Sequence, residues 1–370
     1  MSNSSLPQRV VRSLENAAER LSKMKGVVGF DGFVDTILHV VKTRQSATEY
    51  TRMEKMGEFA QKIAEAAGFS ANLEMVAQMQ KLGGNGPIMA NALGAFGMPA
   101  TYLGNLGFPA IHPVFADFAK AATVHSVAEP GYTDAIEFDD GKLMFGKHQS
   151  LREVNWDNLL AHVPEAQLQG IFEQSRFVAV VNWTMLTQMK GILSGLAERI
   201  APKLGGEKRV VFFDLADPAK RSVEDIAEVL CQISGFERHF EVVLGMNFSE
   251  SQQVAAALGM PSIQETPETV ERRAVEIREK LQIKVAVVHP THFAAAACAE
   301  GSACVQGPFC AKPKITTGAG DHFNAGFCTG RILGLGLEES LQVGVGTSGF
   351  YVRNAKSPSV ADLRGFLETL

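Results

Sequence analysis

The chain has 370 residues, 46% hydrophobic and 20% charged, a composition that excludes a mainly disordered protein. Its length exceeds the roughly 100–200 residues of one ordinary core, so either a large α/β domain or a core with a smaller unit is expected. A net charge of −5 gives no electrostatic footprint for nucleic acid or an anionic membrane surface, which leaves small molecules as the favoured partners.

At the start of the chain, Val10, Val11, Leu14, Ala17, Ala18 and Leu21 recur at helical spacing among Glu15, Glu19, Arg20 and Lys23. This predicts an amphipathic helix rather than a secretory leader, and a cytoplasmic protein. No apolar stretch approaches the roughly 20 residues of a membrane span. Short apolar runs follow at 27–30, 101–103, 177–181, 210–213, 242–244 and 285–288, with helical patterns at 87–96, 186–200, 222–234 and 249–258 between most of them. Alternation of this kind predicts an α/β fold built on a doubly wound, mainly parallel sheet flanked by helices, with ligands bound beyond the carboxyl ends of its strands.

Two stretches break the alternation. Residues 36–41 continue past the first strand as an extended piece, and 133–147 read as a hairpin turning at Asp139-Asp140-Gly141. They suit either a small β-sheet lid or an extension of the main sheet. The lid reading divides the chain into a core of 1–35, 50–130 and 150–370 and a discontinuous lid of 36–49 and 131–149. Within the core part, Phe59, Ile63 and Ala67 predict a helix over 52–68, and Leu73, Met75, Ala77 and Met79 alternate as a strand. The five cysteines, Cys231, Cys298, Cys304, Cys310 and Cys328, lack any CxxC pair and read as reduced core thiols.

The chemistry concentrates in Thr316-Thr317-Gly318-Ala319-Gly320-Asp321 and the small-residue helix after it. A glycine-rich loop opening a helix offers backbone N–H groups to an anion at the positive end of the helix dipole. Asp321 in the first turn suits the role of a base toward a hydroxyl attacking a phosphoryl group, or simply complements the dipole. Asn247 and Glu250, one turn apart, read locally as a variant capping box. Asp214, Asp217, Asn182 and Trp183 follow buried strands and so face the ligand side. Gly344-Val345-Gly346-Thr347-Ser348-Gly349 fits GxGxxG but lies in a helical pattern, which points to close helix packing rather than a dinucleotide site. His289 and His292 read as ordinary loop histidines.

Together, Gly83-Gly84-Asn85-Gly86, Asn247-Phe248-Ser249-Glu250 and the Gly318-Ala319-Gly320-Asp321 run resemble the ribokinase-like (PfkB) family of carbohydrate and nucleoside kinases, from about Gly26 to the end of the chain. The resemblance implies a ribokinase-like fold with a β lid, and ATP-dependent phosphorylation of a hydroxyl on a sugar or sugar-like molecule. It also implies Asp321 as base, with the Gly318, Ala319 and Gly320 amides as anion hole. It further implies acceptor contacts from Asp35 or Asp31 with Gly84 and Asn85, nucleotide contacts from Asn247, Thr317, Gly318 and Gly320, and Mg2+ held through Asn247 and Glu250. Some relatives dimerise through the lid. Three positions depart from the pattern. Ile315 stands where the family has an Asp that helps hold a monovalent cation, so that cation does not carry over. His289-Pro290-Thr291-His292-Phe293 replaces a glycine-containing turn near the nucleotide, and Ile88 replaces an Asn that touches substrate. A nucleoside kinase of the same fold, and a non-catalytic sugar or nucleoside binder, are the rival readings.

Overall fold

The structure, a computed structural model, describes residues 5–370. Fourteen strands form two sheets among these residues: β1 (Lys25–Phe30), β2 (Phe33–Arg44), β3 (Tyr50–Arg52), β4 (Met75–Gly83), β5 (Ala100–Gly104), β6 (Thr123–Ser126), β7 (Gly131–Phe138), β8 (Gly141–Lys147), β9 (Ser175–Val180), β10 (Arg209–Asp214), β11 (Phe240–Met246), β12 (Val285–Val288), β13 (Phe293–Cys298) and β14 (Gly301–Gln306). The larger sheet runs β14-β13-β12-β11-β10-β9-β1-β5-β6. It is parallel from β6 to β12, and only the β12-β13-β14 edge is antiparallel. All six apolar runs named from the sequence are its central strands, and their near-continuous burial is what helices on both faces require. One apolar layer holds Phe172, Ile192, Val229 and Ile277, and the opposite layer holds Leu21, Leu93, Phe327 and Leu341.

β1 pairs with β5 on one side and β9 on the other, so strand order reverses at its carboxyl end. That reversal leaves a crevice, the usual ligand position in such sheets. The two residues after β1 lead straight into β2, which belongs to the second sheet.

The second sheet is separate from the first, ordered β3-β2-β7-β8 with β4 also pairing β2. It is larger than the segments 36–49 and 131–149 alone: β3 and β4, from the stretch assigned to the core, join it. The helix Met56–Glu65 packs Phe59 into its apolar cluster with Leu38, Val40, Ile136 and Phe138. The β7-β8 hairpin turns where Asp-Gly predicted, with Gly141 at φ 153°. At the start of the chain the single expected helix is two, Leu6–Ser13 and Ala17–Ser22. The segment 186–200 is α-helical over Met189–Gly195 and π-helical from Leu196 to Ile200. Among the described residues no helix is long and apolar enough to cross a membrane; all five cysteines are free, but only Cys328 is a core thiol, Cys231 being exposed and the other three half-buried.

Candidate active site

The helix Ala319–Ile332 starts beneath the crevice, with Gly318 as its N-cap at φ 89°, ψ 1°. Ala319 N–H donates to Thr316 O at 3.1 Å, closing a four-residue turn over 316–319. A left-handed residue at the third position marks this as a type II turn, and glycine occupies it without strain. A Cβ on Gly318 would also meet Ile88 Cγ2 and Tyr351 Oη, both at 3.2 Å. Of the three residues expected to form the anion hole, Ala319 thus has its amide engaged in the turn. Gly320, in the first helical turn, has no acceptor for its N–H within the helix.

This turn separates two clefts. On one side lies a cleft of about 410 Å³, lined by Thr316, Ala319, Gly320, Asn247, His289 and Phe309 among others. On the other lies one of about 240 Å³, lined by Asp35, Lys81, Asn91, Thr317, His322 and Tyr351 among others. Asp321 is 7% exposed and lines neither cleft itself; it stands in the chain between Gly320, which lines the larger, and His322, which lines the smaller. Burial pushes its carboxyl up to about 8, with repulsion from Asp31 and Glu250 adding to the rise, while the hydrogen bond from Asn85 opposes it. That bond runs from Asn85 Nδ2 to Asp321 Oδ1 at 2.9 Å.

Asp31 and Asp35, the two acceptor-binding candidates, have different surroundings. Asp31 is fully buried and accepts from Asn85 N at 2.9 Å, Gly86 N at 2.8 Å and Asn182 Nδ2 at 2.7 Å. It therefore caps the helix Asn85–Ala95 and holds the residue that reaches Asp321. Gly84, at φ 101°, fits against it: a Cβ there would lie 3.0 Å from Asp31 Oδ2. Asp35, on β2 opposite Lys81 of β4, lines the smaller cleft, and burial raises its pKa against the opposing Thr133 hydrogen bond and Lys81 charge.

Asn247 and Glu250 close a capping box on the helix Phe248–Ala257. Glu250 N donates to Asn247 Oδ1 at 2.9 Å, and Asn247 N to Glu250 Oε2 at 2.8 Å. The other carboxylate oxygen, Oε1, accepts from Asp217 N at 3.0 Å. Asp214 accepts from Ala216 N and from Asn324 Nδ2, and its pKa rises well above the ordinary range through burial and the charges of Glu250 and Asp321. Among the described residues no three His, Cys, Asp or Glu side chains gather as a direct metal site. Asp31 and Glu250 raise the pKa of Asp321, and Glu250 and Asp321 raise that of Asp214, with no ion pair to any of these four among the described residues, an arrangement that suits a divalent ion held through water and phosphate oxygens.

His289, read from sequence as a loop residue, forms part of the larger cleft. Its ring lies 4.6 Å from Phe323 and burial holds it neutral, down to about 4. His292 stacks on Phe309 at 4.5 Å. The GxGxxG run lies inside the helix Leu337–Asn354, where Gly344 faces Phe323 and Gly349 faces Pro308, so these glycines do serve close packing beside the cleft. Asn182, at φ 59°, holds Asp31, and Trp183 is buried under Arg221. No local motif in the sequence marks Tyr351 or Ser357.

The Asn85 bond leads to an expected pH effect. A donor to the ionised carboxylate lowers its pKa, so Asn85→Ala should move the acid limb of kcat/KM to higher pH. At pH 7 that amounts to a loss of roughly 3–10-fold, recovered as pH rises, since kcat/KM follows the free enzyme's groups. A pH profile with an unmoved limb would show that Asn85 does not tune Asp321.

A family model described as prokaryotic ketohexokinase matches residues 4–370. The ketohexokinase of Haloferax volcanii is 29% identical over 354 residues, covering 95% of this chain and 93% of that protein. Among solved structures, an Arabidopsis thaliana ribokinase complexed with ribose and ATP is similar at a TM-score of 0.65 and 16% identity, covering 94% of this chain and 99% of that one. The phosphofructokinase-2 of Escherichia coli is similar at 0.63 and 16%, covering 94% and 99%. The expected ribokinase-like fold is borne out.

Proposed function

The chain belongs to the prokaryotic ketohexokinase family of ATP-dependent sugar kinases, and from that premise we propose that its acceptor is a ketohexose and that Asp321 is the base. The observation that carries the reading is that buried Asp321 stands in the chain between Gly320, which lines the larger cleft, and His322, which lines the smaller. The larger cleft takes the nucleotide, with its phosphates toward Gly320 and Asn247. The smaller takes the sugar, with hydroxyls on Asp35 and on the Gly84-Asn85 segment.

As the acceptor hydroxyl attacks the γ-phosphorus, its proton passes to the Asp321 carboxylate. The bond from the γ-phosphorus to the bridging oxygen breaks, and ADP leaves with the electron pair. A carboxyl whose pKa is raised toward 8 is a stronger proton acceptor than an exposed one once ionised. The Gly318 and Gly320 amides, at the positive end of the helix, receive the charge on the transferred group. Mg2+ would be held by Glu250 and Asn247 through water, and when bound it screens the phosphate charge. The lid over the smaller cleft keeps water from competing as acceptor.

The test is MgATP consumption across ketohexoses, aldohexoses, pentoses and nucleosides, with the product identified by phosphorus NMR. The expected result is fastest turnover on a ketohexose, giving a sugar monophosphate. Faster turnover of a nucleoside would replace the acceptor assignment. Binding without ATP consumption across the panel would replace the kinase reading with a non-catalytic one.

A further inference from the structure

The turn that carries the anion hole is held from the sugar side. Tyr351 Oη donates to Thr317 O at 2.9 Å. His322 Nδ1 donates to Gly318 O at 2.7 Å, and its Nε2 pairs with Ser357 Oγ at 2.9 Å. The His322 and Tyr351 rings stack at 3.6 Å and 13°. Both residues are almost fully buried and both line the smaller cleft with Thr317. With Nδ1 as donor, Nε2 accepts the Ser357 hydroxyl, which is the neutral tautomer. Burial keeps His322 neutral, down to about 4, and pushes the Tyr351 phenol up to about 12, so the two donors persist across the working pH range.

Thr317 O is the carbonyl of the central peptide of the type II turn. Types I and II differ mainly by a flip of that peptide, which exchanges the directions of its C=O and N–H. In a trans peptide the two point opposite ways. A donor gripping Thr317 O on the sugar side therefore keeps the Gly318 N–H turned away from the sugar, toward the nucleotide cleft. Nothing in the turn's own sequence requires this, because glycine at position 318 tolerates either arrangement.

We infer that Tyr351, backed by the stacked His322–Ser357 pair, is a positioning residue that locks the central peptide of the 316–319 turn so that the Gly318 N–H faces the transferred phosphoryl group. This rests on the anion-hole reading above. It also makes a wall of the sugar cleft part of the device that orients the anion hole.

The test is Tyr351→Phe, which keeps the ring stacked on His322 and removes only the donor. Expected is a fall in kcat of about 10–100-fold, the range for an interaction made chiefly in the transition state, with KM for ATP and sugar changed less than about threefold. Affinity for MgADP with aluminium fluoride, which mimics the transferred group, should fall in parallel while affinity for MgADP alone holds. A structural role alone would not split these two. Because His322 is buried, its variants are compared with each other: His322→Asn, whose amide can still donate to Gly318 O, should retain more kcat than His322→Phe. Asp321→Asn run alongside separates the failures. Full kcat in Tyr351→Phe beside an inactive Asp321→Asn overturns the lock alone, and full kcat in both overturns the lock together with the base assignment. Equal loss of MgADP and fluoride-complex affinity in Tyr351→Phe also overturns the lock.

Discussion

Asp321→Asn is expected to lower kcat by about 10²–10⁴-fold, the usual contribution of a positioned general base, while leaving nucleotide affinity nearly unchanged. The amide keeps an Oδ1 to accept the Asn85 hydrogen bond, so the turn and the helix behind it should stay in place. The same variant should be more stable than the parent. The folded carboxyl titrates near 8, against an ordinary value of 3.8. Below the ordinary value both states are protonated and the group contributes nothing to the balance. As pH rises above it the unfolded chain releases its proton first, so stability falls with pH until the folded carboxyl also ionises near 8. The loss reaches the order of a few kcal/mol for a fully buried group. Thermal unfolding of the two proteins should therefore coincide near pH 4 and diverge toward pH 8, with the asparagine variant melting higher. A gap that closes with rising pH would contradict the buried-base description, and undiminished turnover would remove Asp321 from the chemistry.

Asp31→Ala should produce the largest loss of stability among the site residues. The side chain is wholly buried and receives two backbone amides and the Asn182 amide. Removing it leaves three donors with no acceptor, and stranding the partners of a buried charge costs about 3–5 kcal/mol. Asp31 also carries a raised pKa of about 6, from burial, so part of that cost is offset by the removal of a poorly solvated carboxylate. The urea midpoint should fall with an unchanged m-value. Turnover should fall as well, because Asn85 loses the bond that holds its backbone while its side chain reaches Asp321. Asp31→Asn should fall between the two, since it keeps one acceptor oxygen and sets an N–H against a backbone N–H. A midpoint within error of the parent would show that the Asn85 segment is held by other contacts.

These two aspartates also mark how far local sequence carries. Asp321 is legible as a candidate because its signal is local: a run of small residues, a helix start and an acid in the first turn lie within six positions. The parallel sheet was legible for the same reason, since each buried strand is a continuous apolar run. Asp31 could only be offered as a second acceptor ligand, because its partners stand 54, 55 and 151 residues away and nothing near it in sequence announces them. Sequence alone places β3 and β4 with the core, because a short or amphipathic strand does not reveal which sheet it joins; pairing with β2 decides that.

Composition and strand and helix periodicity determine by themselves the α/β class and the parallel sheet, and the glycine-rich turn marks a candidate anion site, because each depends on neighbours a few residues apart. The two clefts, the burial that raises Asp321, the conversion of Asp31 from ligand candidate to anchor, and the grip of Tyr351 on a carbonyl 34 residues away were decided only by tertiary structure. Burial and long-range hydrogen bonds depend on which distant segments the sheet order brings to the end of β1, and no local pattern encodes that order.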